Sequence, residues 1–166
     1  ASLMEGPRRY TSLVPAQLRR LVEVIDDAFV FSMLSKFDAI LVGGQRPDWA
    51  DVEQLRSRGV NVVVTYGSTE TCGGCIYDGE PLEGVDFKLD GGLISISGPT
   101  LANDIGEWFE TNDLGEVIDG KLEVIGRADR VIISGGLKVS LERIEQHASE
   151  IAGVDAAAEV SIESQW

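Results

Sequence analysis

Along the first part of the chain, segments with apolar residues at helical spacing alternate with short continuous apolar runs. Apolar residues recur at helical spacing over 15–33, where Pro15 suits a first helical turn, and again over 46–59. Two short apolar runs, 37–44 and 60–66, have the character of buried strands. The order strand, helix, strand predicts a β–α–β unit, whose strands are parallel and joined by a right-handed crossover.

The pattern changes after residue 84, where polar and apolar residues alternate. Two hairpins are predicted, the first at Asp90-Gly91-Gly92 and the second turning at Asp119-Gly120. Beyond residue 130 the sequence predicts a strand, a helix and a further strand: 131–136, 140–153 and 154–162. The sequence therefore predicts an α/β fold with a parallel β–α–β sheet, then an antiparallel β-subdomain, and then the start of a small α+β region.

Composition narrows the classes of function. The chain has 166 residues, 43% of them hydrophobic and 25% charged, which is ordinary for a globular domain. It has no apolar run near the roughly 20 residues of a membrane helix and no signal-peptide pattern, so a cytoplasmic location is expected. The oligomeric state is left open.

The net charge of −14 argues against nucleic acid as a partner. Acidic residues outnumber basic ones by 28 to 14, and no basic stripe offsets them locally. A phosphate ligand would need a bound cation, helix ends or backbone N–H groups. Metal-assisted nucleotide binding therefore stays open.

The two cysteines, Cys72 and Cys75, form a C-x-x-C pair. Such a pair is found in zinc sites and in redox pairs. Zinc would need two further ligands, and the chain has no other cysteine and a single histidine, His147. The sequence favours reduced, structural thiols beside a glycine turn, with thiol-redox chemistry as the alternative.

The stretch "YGSTET", residues 66–71, places three hydroxyls and one carboxylate at the end of a predicted strand. In open α/β sheets, ligands bind outside the carboxyl ends of strands. Glu70 could hold Mg²⁺, which commonly binds through one or two carboxylates and substrate phosphates, while Thr69 or Ser68 could donate to a phosphate oxygen. A polar turn with a solvated Glu70 is an equally good interpretation of these residues alone.

The order of motifs along the chain favours the phosphate and Mg²⁺ site over the polar turn. The stretch 66–70 resembles the Y-G-x-T-E motif of the acyl-adenylate-forming superfamily, which contains the acyl-CoA synthetases. Segments on both sides resemble the neighbouring blocks of that superfamily in the same order: "TSLVPAQLRRL" with "LVGG", "ISGPTLA", "WFETNDLGE" and "GRADRVIISGGLKVSLERIE". The stretch "TYGSTETCGGCIYDGEPLEGV", 65–85, resembles most the o-succinylbenzoate–CoA ligases of menaquinone biosynthesis.

The resemblance implies a role for each matching residue. Those assigned to adenine and phosphate are Gly43, Gly44, Tyr66, Gly67, Thr69 and Glu70. Tyr66 would stack on the adenine, Thr69 would donate to the α-phosphate and Glu70 would hold the metal.

Residues in the second half complete the implied site. Asp113 would accept the ribose hydroxyls and Arg127 would also reach the ribose. Asp129 would be the hinge between two domains. A loop of three residues would line the passage for the pantetheine of coenzyme A: Ser134, Gly135 and Gly136. Taken singly, Arg127 and Asp129 could equally form a surface ion pair.

The resemblance also implies an activity and a domain division. An ATP-dependent, Mg²⁺-requiring ligase would join a carboxylic acid, o-succinylbenzoate, to coenzyme A through an acyl-adenylate. Residues 1–126 would be the C-terminal part of the large ATP-binding domain, and 127–166 the hinge and the start of the small domain. Another aryl or fatty acyl-CoA synthetase and a non-catalytic nucleotide-binding module are the alternatives.

Departures from the superfamily pattern accompany the resemblance. The phosphate loop with its lysine and the C-terminal lysine have no counterpart in these 166 residues, and Asn112 stands where glycine is usual. The chain is therefore expected to be an internal piece of a longer synthetase that does not adenylate by itself.

Overall fold

The computed structural model describes residues 7–134, 137–149, 151 and 153–154. The chain forms two compact units, one made of residues up to Asp86 together with Ser97–Phe109, the other of Phe87–Ile96 together with residues from Glu110 onward. The domain boundary expected between residues 126 and 127 stays a prediction. Among the described residues, no helix combines the length and the apolar character that crossing a bilayer requires.

The first unit is a mixed five-stranded sheet with helices. Its elements, in chain order, are β1 (Tyr10–Leu13), α1 (Pro15–Val24), α2 (Ala28–Leu34), β2 (Ala39–Val42), α3 (Trp49–Ser57), β3 (Val62–Ser68), β4 (Gly73–Tyr77) and β5 (Glu80–Pro81). The strand order is β1-β2-β3-β4-β5. Strands β1, β2 and β3 are parallel, whereas β4 and β5 add antiparallel neighbours. The predicted β–α–β unit is confirmed as β2–α3–β3, with Ile40 opposite Val62.

The single helix predicted over 15–33 is wrong, because two helices occupy that stretch. Helix α1 ends at Val24, and Asp27 caps the second helix by accepting the N–H groups of Phe29 and Val30 at 2.8 and 3.1 Å. A carboxylate that satisfies the free N–H groups of a first turn starts a new helix. The apolar periodicity continues from α1 into α2, so the sequence pattern does not reveal that the helix is interrupted.

Three strands of the first unit were not predicted: β1, β4 and the two-residue β5. Strand β1 is a short edge strand with alternating exposure and a polar sequence, YTSL. Strand β4 begins with Gly73 and Gly74, and glycine is a poor strand former. Its pairing with β3 compensates, because Cys75 and Ile76 become buried there.

The core of the first unit lies between its helices and the parallel strands. It is formed by fully or nearly fully buried aliphatic side chains: Leu18, Ile25, Leu34, Ile40, Val42, Val52, Leu55, Val60 and Val62. Burying an aliphatic side chain of this size contributes roughly 1.5–3 kcal/mol. The parallel sheet that leads to the end of β3 is therefore well anchored.

Helix α3 is also joined to the sheet by a polar contact. Arg56 donates through Nε to the carbonyl of Val62 at 3.0 Å and through Nη2 to Asp78 at 2.7 Å. The same Asp78 oxygen accepts the N–H of Val64 at 2.8 Å. One arginine therefore connects the helix, strand β3 and the turn that joins β4 to β5.

The second unit contains a four-stranded sheet, a two-stranded sheet and a helix. Its elements are β6 (Asp86–Asp90), β7 (Leu93–Ser97), β8 (Phe109–Ile118), β9 (Lys121–Arg127), β10 (Val131–Ser134), β11 (Leu137–Ser140) and α4 (Leu141–Ser149). The order of the larger sheet is β6-β7-β8-β9, and β10 pairs with β11 in antiparallel orientation. Both predicted hairpins are confirmed, the second with positive φ at Asp119 and Gly120.

The second unit differs from the prediction at β11 and at the start of its helix. Strand β11 was not predicted, and the helix begins at Leu141, one residue later than predicted, because Ser140 pairs with β10. Strand β8 is continuous from Phe109 to Ile118, with a register shift against β9 between Leu114 and Gly115. The strand predicted over 154–162 lies, beyond its first residue, outside the described residues.

Candidate functional site

Strand β3 ends at Ser68, and the polar stretch that follows is a tight turn into β4. Thr71, 1% exposed, organises this turn. Its Oγ1 accepts the N–H of Ser68 at 2.8 Å and lies 2.7 Å from the carbonyl oxygen of Gly73, close enough to donate to it. The N–H of Cys72 donates to the carbonyl of Thr69 at 3.1 Å. These bonds fix the backbone that carries Thr69 and Glu70.

An open cleft of about 390 Å³ lies beside this turn. Small and hydroxyl-bearing residues line it: Gly44, Thr65, Gly67, Ser68, Thr69, Gly73 and Gly74. Gly44 has a φ of +83°, a backbone conformation that favours glycine. The structure therefore brings the predicted residues Gly44, Gly67 and Thr69 together at the carboxyl end of β3.

Glycine is required at position 67 by the close approach of two strands. A Cβ on Gly67 would overlap the carbonyl oxygen of Gly73 and lie 2.8 Å from the Cα of Gly74. Gly43 is also confined, since a Cβ there would overlap Oγ1 of Thr65. Four of the seven residues that line the cleft are glycines, so a ligand can approach the backbone closely at these positions.

Glu70 is half-buried in the turn, and its carboxylate is stabilised in the ionised form. The nearby Ser68 hydroxyl, and then the backbone N–H of Glu70 itself, lower the pKa of this carboxyl below its ordinary value. The N–H of Ala102 donates to the Glu70 carbonyl at 2.9 Å and holds the turn from the other side. An ionised carboxylate beside three hydroxyl-bearing residues is a donor set that suits Mg²⁺ bound together with phosphate oxygens.

A metal site built from protein alone is not found in the part of the chain that the structure describes. No three His, Cys, Asp or Glu side chains there cluster in a way that could hold a metal ion. Mg²⁺ commonly keeps waters and binds through one or two carboxylates plus phosphates. Glu70 therefore fits a metal that arrives with a nucleotide.

Tyr66 occupies β3 directly before the glycine of the cleft. It is half-buried, and its backbone lies opposite Ile76 of β4, next to a register shift between Tyr66 and Gly67. Neither Tyr66 nor Gly43 is among the described residues that line the cleft. Stacking of Tyr66 on adenine stays a prediction.

In the second unit, the two predicted ribose-binding residues are direct neighbours. Asp113 of β8 lies opposite Arg127 of β9 in the antiparallel register. The N–H of Asp113 donates to Oγ1 of the buried Thr111 at 3.1 Å, and Thr111 in turn donates to the carbonyl of Ile94 at 2.9 Å. Asn112, in the usual place of glycine, is exposed.

Arg127 and Asp129 form a two-point ion pair. Nε and Nη2 of Arg127 each donate to a different oxygen of Asp129 at 2.9 Å. This contact lowers the pKa of the Asp129 carboxyl below its ordinary value. The pair directly precedes β10, where the hinge is predicted. The surface ion pair, which was the alternative interpretation of these two residues, is therefore present. The hinge role stays a prediction.

The predicted coenzyme A passage is described only in part. Ser134 is the last residue of β10, whereas Gly135 and Gly136 lie outside the described residues. Their role stays a prediction.

The two cysteines occupy different environments. Cys72 is exposed with a φ of +53°, whereas Cys75 is buried in β4, and both are free thiols. Burial raises the pKa of Cys75. The buried Cys75 has the environment of a structural thiol, and thiol-redox chemistry of the pair stays an untested alternative.

Sequence reasoning did not assign site roles to four residues that belong to the site: Thr65, Thr71, Gly73 and Gly74. Thr71 was noted as one hydroxyl among several, but its role as the internal bond of the turn depends on β4. Recognising β4 from the buried Cys75-Ile76 pair would have revealed Gly73 and Gly74 as partners of Gly67.

Comparison with known proteins gives the context of this site. No protein-family model matches the chain. It is similar to a probable 2-succinylbenzoate–CoA ligase of Mycobacterium tuberculosis (strain CDC 1551 / Oshkosh), 41% identical over 83% of the chain. It is also similar to the 2-succinylbenzoate–CoA ligase of Escherichia coli K12, 30% identical over 82% of the chain. The chain belongs to the acyl-adenylate-forming superfamily.

The chain spans only part of these superfamily members, 39% of the mycobacterial relative and 33% of the one from E. coli. Solved structures agree with the assignment. E. coli MenE with a bound m-phenylether-linked analogue of OSB-AMS is 27% identical, with a TM-score of 0.64 over 89% of this chain and 36% of that one.

A second solved structure supports the fold. Bacillus subtilis o-succinylbenzoate coenzyme A synthetase (MenE) in complex with AMP has a TM-score of 0.82 over 95% of this chain and 39% of that one. Its identity of 23% makes this a likeness of fold alone. The superfamily and the α/β fold that the sequence predicts are confirmed.

Proposed function

We propose that this chain carries the adenylate-binding part of an AMP-forming acid–CoA ligase that acts on 2-succinylbenzoate. The observation that carries the proposal is the hydroxyl-rich, glycine-lined cleft at the end of β3, with the ionised Glu70 beside it. The similarity to named 2-succinylbenzoate–CoA ligases supports the substrate. ATP, Mg²⁺ and coenzyme A belong to the proposal, as does a cytoplasmic location.

The residues of the turn suit a nucleotide phosphate with its metal. Thr69 is exposed at the cleft and would donate to the α-phosphate. Glu70 would hold Mg²⁺, which when bound supplies neutralising charge for the phosphate oxygens. The MenE of B. subtilis has been solved with ATP and a magnesium ion, which supports this choice of ligands.

The hairpin of β8 and β9 would recognise the ribose. Asp113 would accept hydrogen bonds from both ribose hydroxyls, a task for which a carboxylate has sufficient acceptor sites. Arg127 would approach the same sugar from the facing strand, while Asp129 would act as the hinge. The cross-strand register of Asp113 and Arg127 supports their joint role.

The proposed reaction has two steps. A carboxylate oxygen of the acid attacks the α-phosphorus of ATP, the bond to the bridging oxygen breaks, and pyrophosphate leaves. The thiol of coenzyme A then attacks the acyl carbon, loses its proton, and AMP departs as the thioester forms. The fixed turn contributes by orienting the phosphate, because positioning and directed donors lower the barrier without a covalent enzyme intermediate.

Calorimetry with the 166-residue chain tests the proposal. The titrants are AMP, and the 2-succinylbenzoyl and benzoyl sulfamoyl adenylates. We expect the chain to bind AMP and to bind the 2-succinylbenzoyl mimic more tightly than either other ligand. Equal affinity for the two mimics would refute the substrate, and equal affinity for AMP and both mimics would favour a non-catalytic nucleotide-binding module. A chain that binds none of them would refute the proposal entirely.

A further inference from the structure

Two buried hydroxyls lack a hydrogen-bond partner among the described residues. They are Oγ of Ser68 and Oγ1 of Thr100. A buried hydroxyl without a partner loses its hydrogen bonds to water and gains none in return, so folded proteins rarely keep one without reason. One reason is a ligand that supplies the missing partner.

The two hydroxyls differ in their surroundings. Ser68 lines the cleft beside Thr69, whereas Thr100 is not among the described lining residues. This difference makes Thr100 a natural control for Ser68.

The turn holds Ser68 in place without using its hydroxyl. Its N–H donates to Oγ1 of Thr71 at 2.8 Å, and its carbonyl lies 3.2 Å from the same oxygen. Strand pairing places its backbone opposite Gly73. The N–H and the carbonyl of Ser68 are therefore both held by the turn, whereas its side-chain hydroxyl is left to bind a ligand.

Glu70, two residues further along the turn, carries a carboxylate. That carboxylate makes no hydrogen bond of normal geometry with the Ser68 hydroxyl. An anionic oxygen bound in the cleft would offer Ser68 a better acceptor, and a metal held by Glu70 would offset the added negative charge.

We propose that Ser68 is a further ligand-binding residue, whose hydroxyl donates to an anionic phosphate oxygen of a nucleotide in the cleft. Thr71 is the positioning residue, since it fixes the backbone of Ser68 and leaves the hydroxyl unpartnered. This inference rests on the proposed nucleotide function and adds a second hydroxyl donor to Thr69.

Two substitutions that each remove one orphaned hydroxyl, Ser68→Ala and Thr100→Val, test the role of Ser68. Each is measured for its unfolding midpoint and for its affinity for AMP and adenosine by calorimetry in the presence of Mg²⁺. We expect both variants to unfold at the same or a higher urea concentration than the parent chain. Only Ser68→Ala should lose affinity for AMP, by about tenfold because the lost hydrogen bond is to a charged group. Its affinity for adenosine should not change.

Thr71 is tested by its own pair of variants. Thr71→Val keeps the shape but removes the hydroxyl, so it should lower both the unfolding midpoint and the affinity for AMP. Thr71→Ser should restore both.

The outcomes separate this inference from the proposed function. A Ser68→Ala chain that binds AMP as well as the parent overturns the inference alone, as does one that unfolds at clearly lower urea. If Ser68→Ala loses as much affinity for adenosine as for AMP, the Ser68 hydroxyl does not contact the phosphate. A parent chain that binds no AMP removes the proposed function, and the inference with it.

Discussion

The close approach of β3 and β4 makes the replacement Gly67→Ala the sharpest test of the site's architecture. The new Cβ would overlap the carbonyl oxygen of Gly73 and lie 2.7 Å from its carbonyl carbon. Relaxed carbon contacts need about 3.5–4.0 Å, so β4 must move by roughly 1 Å. Because backbone atoms cannot turn aside as a flexible side chain can, the cost lies at the upper end of overpacking, about 3 kcal/mol.

Urea denaturation followed by circular dichroism measures this cost. With an m-value of about 1–3 kcal/mol/M, a loss of 3 kcal/mol lowers the midpoint by about 1–3 M. Gly106→Ala is the matched control, since nothing lies within 4 Å of its added Cβ, and its free energy of unfolding should change by no more than about 0.5 kcal/mol. If Gly67→Ala unfolds together with this control, the strands do not approach as described and the reasoning fails.

Three further predictions concern a helix cap, the thiols and an ion pair. Asp27→Ala should destabilise the first unit by about 1 kcal/mol in urea denaturation, whereas Asp27→Asn should retain most of the cap; equal losses would contradict the capping role. A thiol reagent should modify Cys72 rapidly and Cys75 only on unfolding, and fast modification of both would contradict the burial of Cys75. Carboxyl NMR titration should find the pKa of Asp129 below its ordinary value and show it rising in Arg127→Ala. A depressed folded-state pKa contributes stability that is present above the unfolded pKa and lost as the pH falls through the folded one, so the two chains should differ least in acid; an unchanged pKa would refute the pairing.

Periodicity predicted the parts of the fold in which the apolar residues of a segment are the ones that become buried. Strands β2 and β3 are apolar runs in a parallel sheet, and the Asp119-Gly120 pair has the backbone conformation that a tight hairpin needs. It missed β1 and β4, because a polar edge strand and a glycine-led strand form through pairing with neighbours, which local propensity does not record.

The site was predictable as a set of residue types but not as a set of contacts. The motif "YGSTET" indicated hydroxyls and a carboxylate at a strand end, and Gly44, Gly67 and Thr69 indeed line one cleft. The turn's internal bond from Thr71 to Gly73 requires β4 to be in place. The ion pair of Arg127 with Asp129 was one of two interpretations of the sequence, but its two-point geometry depends on the short turn between β9 and β10.

The contacts of Arg56 with β3 and with Asp78 lead to an expectation about homologous sequences. Asp78 receives both the guanidinium and the N–H of Val64, and it sits at a φ of +49°, a conformation that Asp tolerates better than most residues. Losing Arg56 alone would remove the ion-pair partner of the Asp78 carboxylate, and losing Asp78 alone would leave the Arg56 guanidinium to pair with the more exposed Glu53. Among homologous sequences, positions 56 and 78 should therefore change as a pair.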